Sequence, residues 1–513
     1  MFQPSTAATA FSEYADEPAP EPAALAAEIL AKTDSTNKRH RRKKPAAAAN
    51  ASGLKTAPWG ALASALGSTL GMTLSAAFSK RWVLRAFTQM PHGRLTLTLP
   101  DGSTHVGGNT SDGDVEPVGF DAVQASIHVV DENDFFTSLL LYSHIGFAEA
   151  YMRGAWETPH LAEVIRWFIV NLDHAPMLEG SPAQKFMFNL LGQCNRMQHW
   201  LRENSITRAR NNIQAHYDLS NPFFSLFLDP TLAYSSARFS EPGMSLEAAQ
   251  QSKYQALVQK LRLKATDHVL EIGSGWGGFA LYAAQQTGCR VTTITISDKQ
   301  YAEAKRRIEQ AGLSDRVEVR LQDYRHVKGQ FDKIVSVEMI EAVGDRYYET
   351  FFAQCHRLLK PEGLLVLQMI TCPDCRFEIL RRNVDFIQKH IFPGSLLPSL
   401  ARITQALNRT GDLFLFELED LGLSYAKTLA EWHCRFNQHL PEVRALGFDE
   451  PFIRKWNYYL QYCQAAFDTR NITVVQAVYT RPNNPGLREA WFSSAPISSS
   501  ACNIPPARSN RQP

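Results

Sequence analysis

The chain predicts an α/β fold whose mostly parallel sheet carries helices on both faces. Two observations predict it. From about residue 250 onward, short apolar strands alternate with amphipathic helices. The first of these strands, His268-Val-Leu-Glu-Ile272, also runs directly into a glycine-rich turn that opens a helix near Phe279. The next strand is Arg290-Val-Thr-Thr-Ile-Thr-Ile296, and the helix after it places Tyr301, Ala304 and Ile308 on one face. Strands Val317–Arg320, Lys333–Val337 and Leu364–Met369 follow, and Thr473–Thr480 closes the series as an expected antiparallel edge strand. Residues 372–423 form too long a connection for a loop and predict helices inserted as a cover.

Ahead of this region a small α+β domain is expected over 76–200. Arg94-Leu-Thr-Leu-Thr-Leu99 alternates like a half-buried strand before the turn Pro100-Asp101-Gly102, and Ala125–Val130 reads as another strand. Helical patterns run from Phe135 to Val170, including the amphipathic stretch Leu161–Ile169. Residues 1–75, rich in Ala, Pro and Ser, predict a disordered leader, and 486–513 a flexible tail.

With 513 residues the chain has room for two or three domains, and 44% hydrophobic content is ample for a core. A net charge of +2, from 53 basic and 51 acidic residues, excludes a nucleic-acid binder as a whole. The basic charge is local, in Lys38-Arg39-His40-Arg41-Arg42-Lys43-Lys44, which suits a solvated linker, then an anchor to anionic lipid, with a nuclear import signal or a nucleic-acid arm as further readings. Eight scattered cysteines point to reduced thiols in a cytosol-like compartment rather than a disulfide scaffold. Glu13, Asp16, Glu17 and Glu21 argue against a secretory signal. The uncharged stretch between Lys55 and Lys80 is too poor in Leu, Ile and Phe to read as a span. Cys372-Pro-Asp-Cys375 lacks a second pair at zinc spacing and reads as a turn, so no metal is expected.

The glycine-rich turn carries the chemistry. Glu271-Ile272-Gly273-Ser274-Gly275-Trp276-Gly277-Gly278 satisfies a dinucleotide fingerprint, which alone is weak. Three features favour S-adenosyl-L-methionine over NAD. Glu271 precedes the first glycine by two positions, where a methyltransferase carboxylate supports the loop and the methionine ammonium. The second strand ends in Thr295-Ile-Ser-Asp-Lys-Gln300, with no acidic residue at its tip for a ribose. Gln322-Asp323-Tyr324 follows the third strand, placed for the adenine edge. The fold expected over 201–485 is therefore a Rossmann-like class I methyltransferase.

Several collinear segments resemble the cyclopropane fatty acid synthase family of methyltransferases. They are His216-Tyr-Asp-Leu219, Leu228-Asp-Pro-Thr-Leu-Ala-Tyr-Ser-Ser236, the glycine loop, Val337-Glu-Met-Ile-Glu-Ala-Val-Gly344, Phe386-Ile-Gln-Lys-His-Ile-Phe-Pro-Gly394, Tyr425-Ala-Lys-Thr-Leu-Ala-Glu-Trp432 and Ala466-Phe-Asp-Thr-Arg470. The resemblance covers roughly residues 200 to 482. It implies methyl transfer from S-adenosylmethionine to a cis double bond in phospholipid acyl chains, then proton loss that closes a cyclopropane or leaves a methyl or methylene branch. The cationic intermediate calls for a dry aromatic pocket, each cation–π contact giving about 0.5–2 kcal/mol; Phe223, Phe224, Tyr347, Phe386 and Phe392 are the candidates. Cofactor contacts carry over to Tyr234, Ser235, Gly273, Gly275, Gly277, Thr295, Gln300, Gln322 and Asp323, beside Glu271.

In the family a bound bicarbonate serves as base, held by a cysteine, a glutamate, a histidine, a tyrosine and the backbone beside an isoleucine. Glu341, Tyr425 and Ile370 match. Ser236 stands where the cysteine is expected, Gln368 where the histidine is expected, and Ala342 replaces a histidine beside the glutamate. Serine and glutamine can hydrogen-bond an anion but carry no charge. A carboxylate facing bicarbonate costs about 4 kcal/mol at ~4 Å with an effective dielectric of about 20, so Glu341 is expected to be protonated or to accept bicarbonate's own proton.

The implied partners are phospholipid acyl chains at a membrane surface, with peripheral association from the cytoplasm and a homodimer left open. An amine N-methyltransferase and a silent lipid- or cofactor-binding homologue are the rivals. The small N-terminal domain opposes the first, and the intact glycine loop with Glu341 opposes the second.

Overall fold

Alternation along each strand decides which side meets the core. In β1 (Arg94–Thr98) Leu95 and Leu97 are buried while Arg94 faces water. β1 pairs antiparallel with β2 (Thr104–Gly108) and parallel with β3 (Gln124–Val129), and β3 pairs antiparallel with β4 (Trp156–Glu157). Helices Ala76–Thr88, Glu132–Arg153 and Leu161–Val170 accompany this four-stranded sheet. The helix Glu132–Arg153 is capped by the Asp131 side chain and ends at the left-handed Gly154. It breaks midway at Ser143 (φ 52°, ψ −136°). The computed structural model describes residues 76–108, 119–174 and 220–487. The basic run 38–44, the segment His216–Leu219, the boundary expected near 200 and most of the tail lie outside the described residues.

A seven-stranded sheet forms the larger part. Its strands are β5 (His268–Ile272), β6 (Arg290–Thr295), β7 (Val317–Leu321), β8 (Phe331–Val337), β9 (Leu359–Thr371), β10 (Phe414–Asp420) and β11 (Thr473–Thr480), in the order β10-β11-β9-β8-β5-β6-β7. β5 to β9 run parallel. Val269 to Ile272 and Leu364 to Met369 are buried without interruption, the signature of strands covered on both faces.

One expectation is corrected here. β11 is antiparallel, but it is not the edge: it pairs with β9 on one side and with β10 on the other. β10 falls in the segment read as wholly helical cover. Its residues are exposed on both faces, with Phe414, Leu415, Phe416 and Leu418 each 38–45% accessible, so no burial alternation betrays it. Backbone pairing with β11 holds it, together with Glu419, which pairs with Arg238 at 2.8 Å and Lys260 at 2.5 Å. The rest of the cover is helical as expected, at Asp374–Arg382, Phe386–His390 and Leu400–Thr410. Cys372 is buried at the end of β9, and Cys375, read as part of a turn, belongs to the first of these helices. Among the described residues no helix is long and apolar enough to cross a membrane.

Helices Gly422–Gln438 and Glu450–Asp468 pack on each other and clasp the short helix Asn221–Ser225. Phe223 is fully buried between them, its ring 5.0 Å from both Phe448 and Trp456 and 5.6 Å from Phe227. Edge-to-face contacts add to the buried area. Phe223→Ala should cost about 3–5 kcal/mol, read as a lower urea midpoint at unchanged slope; a midpoint within error of the parent would remove Phe223 as the hub of this packing.

Candidate active site

In an open parallel sheet the crevice lies beyond the carboxyl ends of the strands, where the strand order reverses. Here that point is β5, flanked by β6 and β8. A cavity of about 780 Å³ opens there. The turn after β5 is built by backbone: Gly273 and Ser274 N–H both donate to the Ile294 carbonyl, at 3.0 and 2.9 Å. Gly273 and Gly275 have φ of 99° and 48°, which glycine adopts without penalty. A Cβ on Gly275 would meet nothing within 4 Å and would project into the cavity. Gly277, also left-handed, sits behind the wall as the cap of helix Gly278–Thr287.

The predicted cofactor residues line this end of the cavity. Glu271 is buried, and burial pushes its carboxyl up to about 8; its Oε2 has no partner among the described residues. An unpartnered buried carboxylate oxygen fits an incoming ammonium. Thr295 Oγ1 donates to Gln300 Oε1 at 2.9 Å. Gln322 N–H donates to the Thr295 carbonyl at 2.9 Å, tying the ends of β6 and β7 together. Asp323 lines the cavity with its carboxylate already gripped by Arg325 (2.6 Å); burial pushes its pKa up, but these bonds outweigh that and hold it low. Tyr234 bonds Tyr459 hydroxyl to hydroxyl at 2.9 Å, and Ser235 accepts from Lys253 Nζ at 2.8 Å. The residues therefore fit S-adenosylmethionine.

The predicted base-site residues also come together, around a group the sequence reading passed over. Glu338 follows β8 with φ of 48°, a left-handed conformation that is costly for a side-chain-bearing residue. Its Oε1 accepts from Ser236 N–H and from Gln368 Nε2, both at 2.8 Å, and its carboxylate also meets the Tyr425 hydroxyl. Ser236 thus contributes its amide; its hydroxyl turns away to the Ala237 carbonyl at 2.9 Å. Gln368 is oriented by Gln476, which donates to its Oε1 at 3.0 Å. Glu341 accepts from the Ile370 amide, and its buried Oε2 has no partner among the described residues.

The two carboxyls differ in support. Burial raises the Glu341 pKa to about 8, reinforced by the negative charge of Glu338 and opposed by the backbone amides of Ile370 and of Glu341 itself. Burial also raises Glu338, and it stays above the ordinary carboxylate value although Gln368, the Ser236 amide, the Lys253 charge and Tyr425 oppose the shift. A proton shared by the pair therefore favours Glu341, the less supported of the two carboxyls. The positive charge that Gln368 cannot carry has a counterpart the sequence did not announce, Lys253, which is fully buried behind Ser235.

The aromatic expectation needs correction. Of Phe223, Phe224, Tyr347, Phe386 and Phe392, only Phe392 lines the cavity among the described residues. Phe223 and Phe224 are core, and Phe224 backs Tyr234 at 5.3 Å. Rings on the cavity come instead from Tyr234, on the loop before helix Leu246–Leu261, and from Tyr425, Tyr459 and Phe467, which helices 422–438 and 450–468 carry to it. Glu338 was legible in principle, as a second carboxylate three residues before Glu341 at a strand end.

The model of the family described as mycolic acid cyclopropane synthetase matches residues 204–477. The chain is 36% identical over 429 residues to the tuberculostearic acid methyltransferase UfaA1 of Mycobacterium tuberculosis, covering 80% of this chain and 92% of that one. It is 38% identical to the cyclopropane-fatty-acyl-phospholipid synthase of Escherichia coli, over 70% of this chain and 89% of that one. The mycolic acid cyclopropane synthase CmaA1, solved with SAH and CTAB, superposes with a TM-score of 0.50 at 31% identity, over 53% of this chain and 98% of that one. Fold, glycine loop and matched length together place the chain in the mycolic acid cyclopropane synthetase family of S-adenosylmethionine-dependent methyltransferases.

Proposed function

We propose that the chain transfers a one-carbon unit from S-adenosylmethionine to a cis double bond of a phospholipid acyl chain, with Glu338 as a built-in base. The observation that carries this reading is the carboxylate of Glu338, held by the Ser236 amide, Gln368 and Tyr425. The resemblance gives those same positions to a bound bicarbonate; an in-chain carboxylate makes that anion unnecessary. When bound, S-adenosylmethionine supplies an electrophilic methyl group to the alkene, leaving a cation on the acyl chain.

The remaining chemistry belongs to the protein. Glu338 accepts a proton from the newly added methyl group. If the released C–H pair closes onto the cationic carbon, a cyclopropane results. If hydride first shifts from the methyl-bearing carbon, the pair forms a methylene. Tyr425, whose pKa burial pushes far up, stays a hydrogen-bond donor and fixes the base. The ring faces of Tyr234, Tyr459 and Phe392 exclude water from the cation. Leu172 and Ile379 are 43% and 62% exposed where Arg376 also borders the cavity. Apolar side chains beside a cation suit entry of an acyl chain from a membrane surface.

The deciding experiment is mass spectrometry of lipid fatty acids after expression in a host lacking its own synthase. The expected product is one CH₂ heavier than the mono-unsaturated chain. Loss of the alkene with ring fragments identifies cyclopropanation, and a retained alkene identifies methylene branching. No mass change from folded, cofactor-binding protein would remove acyl chains as the substrate.

A further inference from the structure

Lys253 lies on helix Leu246–Leu261, completely buried. Its one hydrogen bond among the described residues goes to Ser235 Oγ at 2.8 Å, and its ammonium stands 4.4 Å from the Tyr254 ring centroid. It does not line the cavity; Ser235 does. Ser235 is chain neighbour to Ser236, whose amide holds Glu338. One turn earlier on the same helix Gln250, also completely buried, donates to the Ser235 carbonyl at 3.0 Å. One helix face therefore holds the Tyr234–Ser236 loop by two long polar side chains, only one of them charged.

Burying an ammonium without a contact carboxylate is costly, so its charge needs a use. The groups that face it are Glu338 at the end of β8, Glu271 on β5 and Asp229 in the preceding loop. Asp229 is occupied with the amides of Thr231 and Ala233, at 2.9 and 3.2 Å. Glu338 is faced in addition by Glu341, Tyr425 and the amide of Gln368. Among the described residues Lys253 is the cation whose charge opposes protonation of Glu338, and Glu341 has no such cation beside it.

We propose that Lys253 is a positioning residue for the reaction, a fixed cation beneath the Tyr234–Ser236 loop that keeps the Glu338 carboxylate ionised and aimed at the substrate. The inference rests on Glu338 being the base. Burial lowers the Lys253 pKa to about 8, against the pull of Glu338, Asp229 and Glu271, so the charge is present at neutral pH.

The test is the pH profile of turnover under saturating cofactor for the full chain and three variants. In Lys253→Met the acid limb, set by protonation of the base, should move up by about one pH unit, so that the rate loss is about tenfold greater below the limb than above it. Lys253→Gln, polar and of similar length, carries the same test where the Met variant does not fold. Gln250→Leu disturbs the same loop without changing charge, and should lower turnover equally at every pH. An acid limb at the parent position in the Lys253 variants, with Glu338→Gln inactive, overturns the role of Lys253 alone. Full turnover in Glu338→Gln overturns the base assignment on which it rests.

Discussion

Glu338→Gln should lower turnover by about 10²–10⁴-fold, the usual contribution of a positioned base, while calorimetry finds S-adenosylmethionine binding unchanged. The amide keeps the shape and the acceptor for Ser236 and Gln368 but cannot take a proton from carbon. Glu338→Gly makes the complementary case. Glycine suits the φ of 48°, and removing the side chain leaves the Ser236 amide, Gln368 Nε2 and Tyr425 hydroxyl converging on a vacated anion position. Added bicarbonate should then restore part of the turnover of Glu338→Gly and none of Glu338→Gln, whose side chain still fills the position. Full activity in the Gln variant, or no bicarbonate response in a folded Gly variant, would count against Glu338 as the proton acceptor.

Glu271→Gln is expected to weaken cofactor binding by about 30–5000-fold, the range for removing one partner of a buried, hydrogen-bonded charge pair. Its Oε2 is buried and lacks a partner among the described residues, and burial holds its pKa near 8 in the free protein. An ammonium binds the ionised form. Cofactor affinity should therefore fall as pH drops below about 8, and this acid-side dependence should shrink in Glu271→Gln, whereas any loss at alkaline pH, where the cofactor's own ammonium deprotonates, should persist. Stability has its own sign. The folded pKa lies above the ordinary 4.5, so the folded state binds the proton more tightly, and the ligand-free protein should lose stability as pH rises from about 4.5 to about 8. Glu341, raised to a similar value, adds to that slope. Calorimetric affinities that do not vary between pH 6 and 9 would remove Glu271 from the ammonium contact.

Local pattern and collinear motifs made much of this protein legible from its sequence. Apolar runs of strand length and helical periodicity located β5 to β9 and β11, because a strand or helix is a short-range event. The turn Gly273–Gly278 announced its ligand because few residues other than glycine tolerate that backbone. Ser236, Gln368, Ile370 and Tyr425 were identifiable one by one, since each sits in a recognisable segment. The tertiary structure decided how they are used. Ser236 and Gln368 are 132 residues apart, yet Gln368 Nε2 donates to the Ser236 carbonyl at 3.1 Å and both residues bond Glu338, and nothing in either segment specifies that serine offers Glu338 its amide rather than its hydroxyl. β10 escaped notice because both its faces are exposed, leaving no alternation to read. Lys253 reads as an ordinary polar residue of a helix until burial against the Tyr234–Ser236 loop brings its charge to bear on Glu338. Periodicity records which face of an element is dry; which charges share a dry site depends on contacts between distant segments, and those form only when the chain packs.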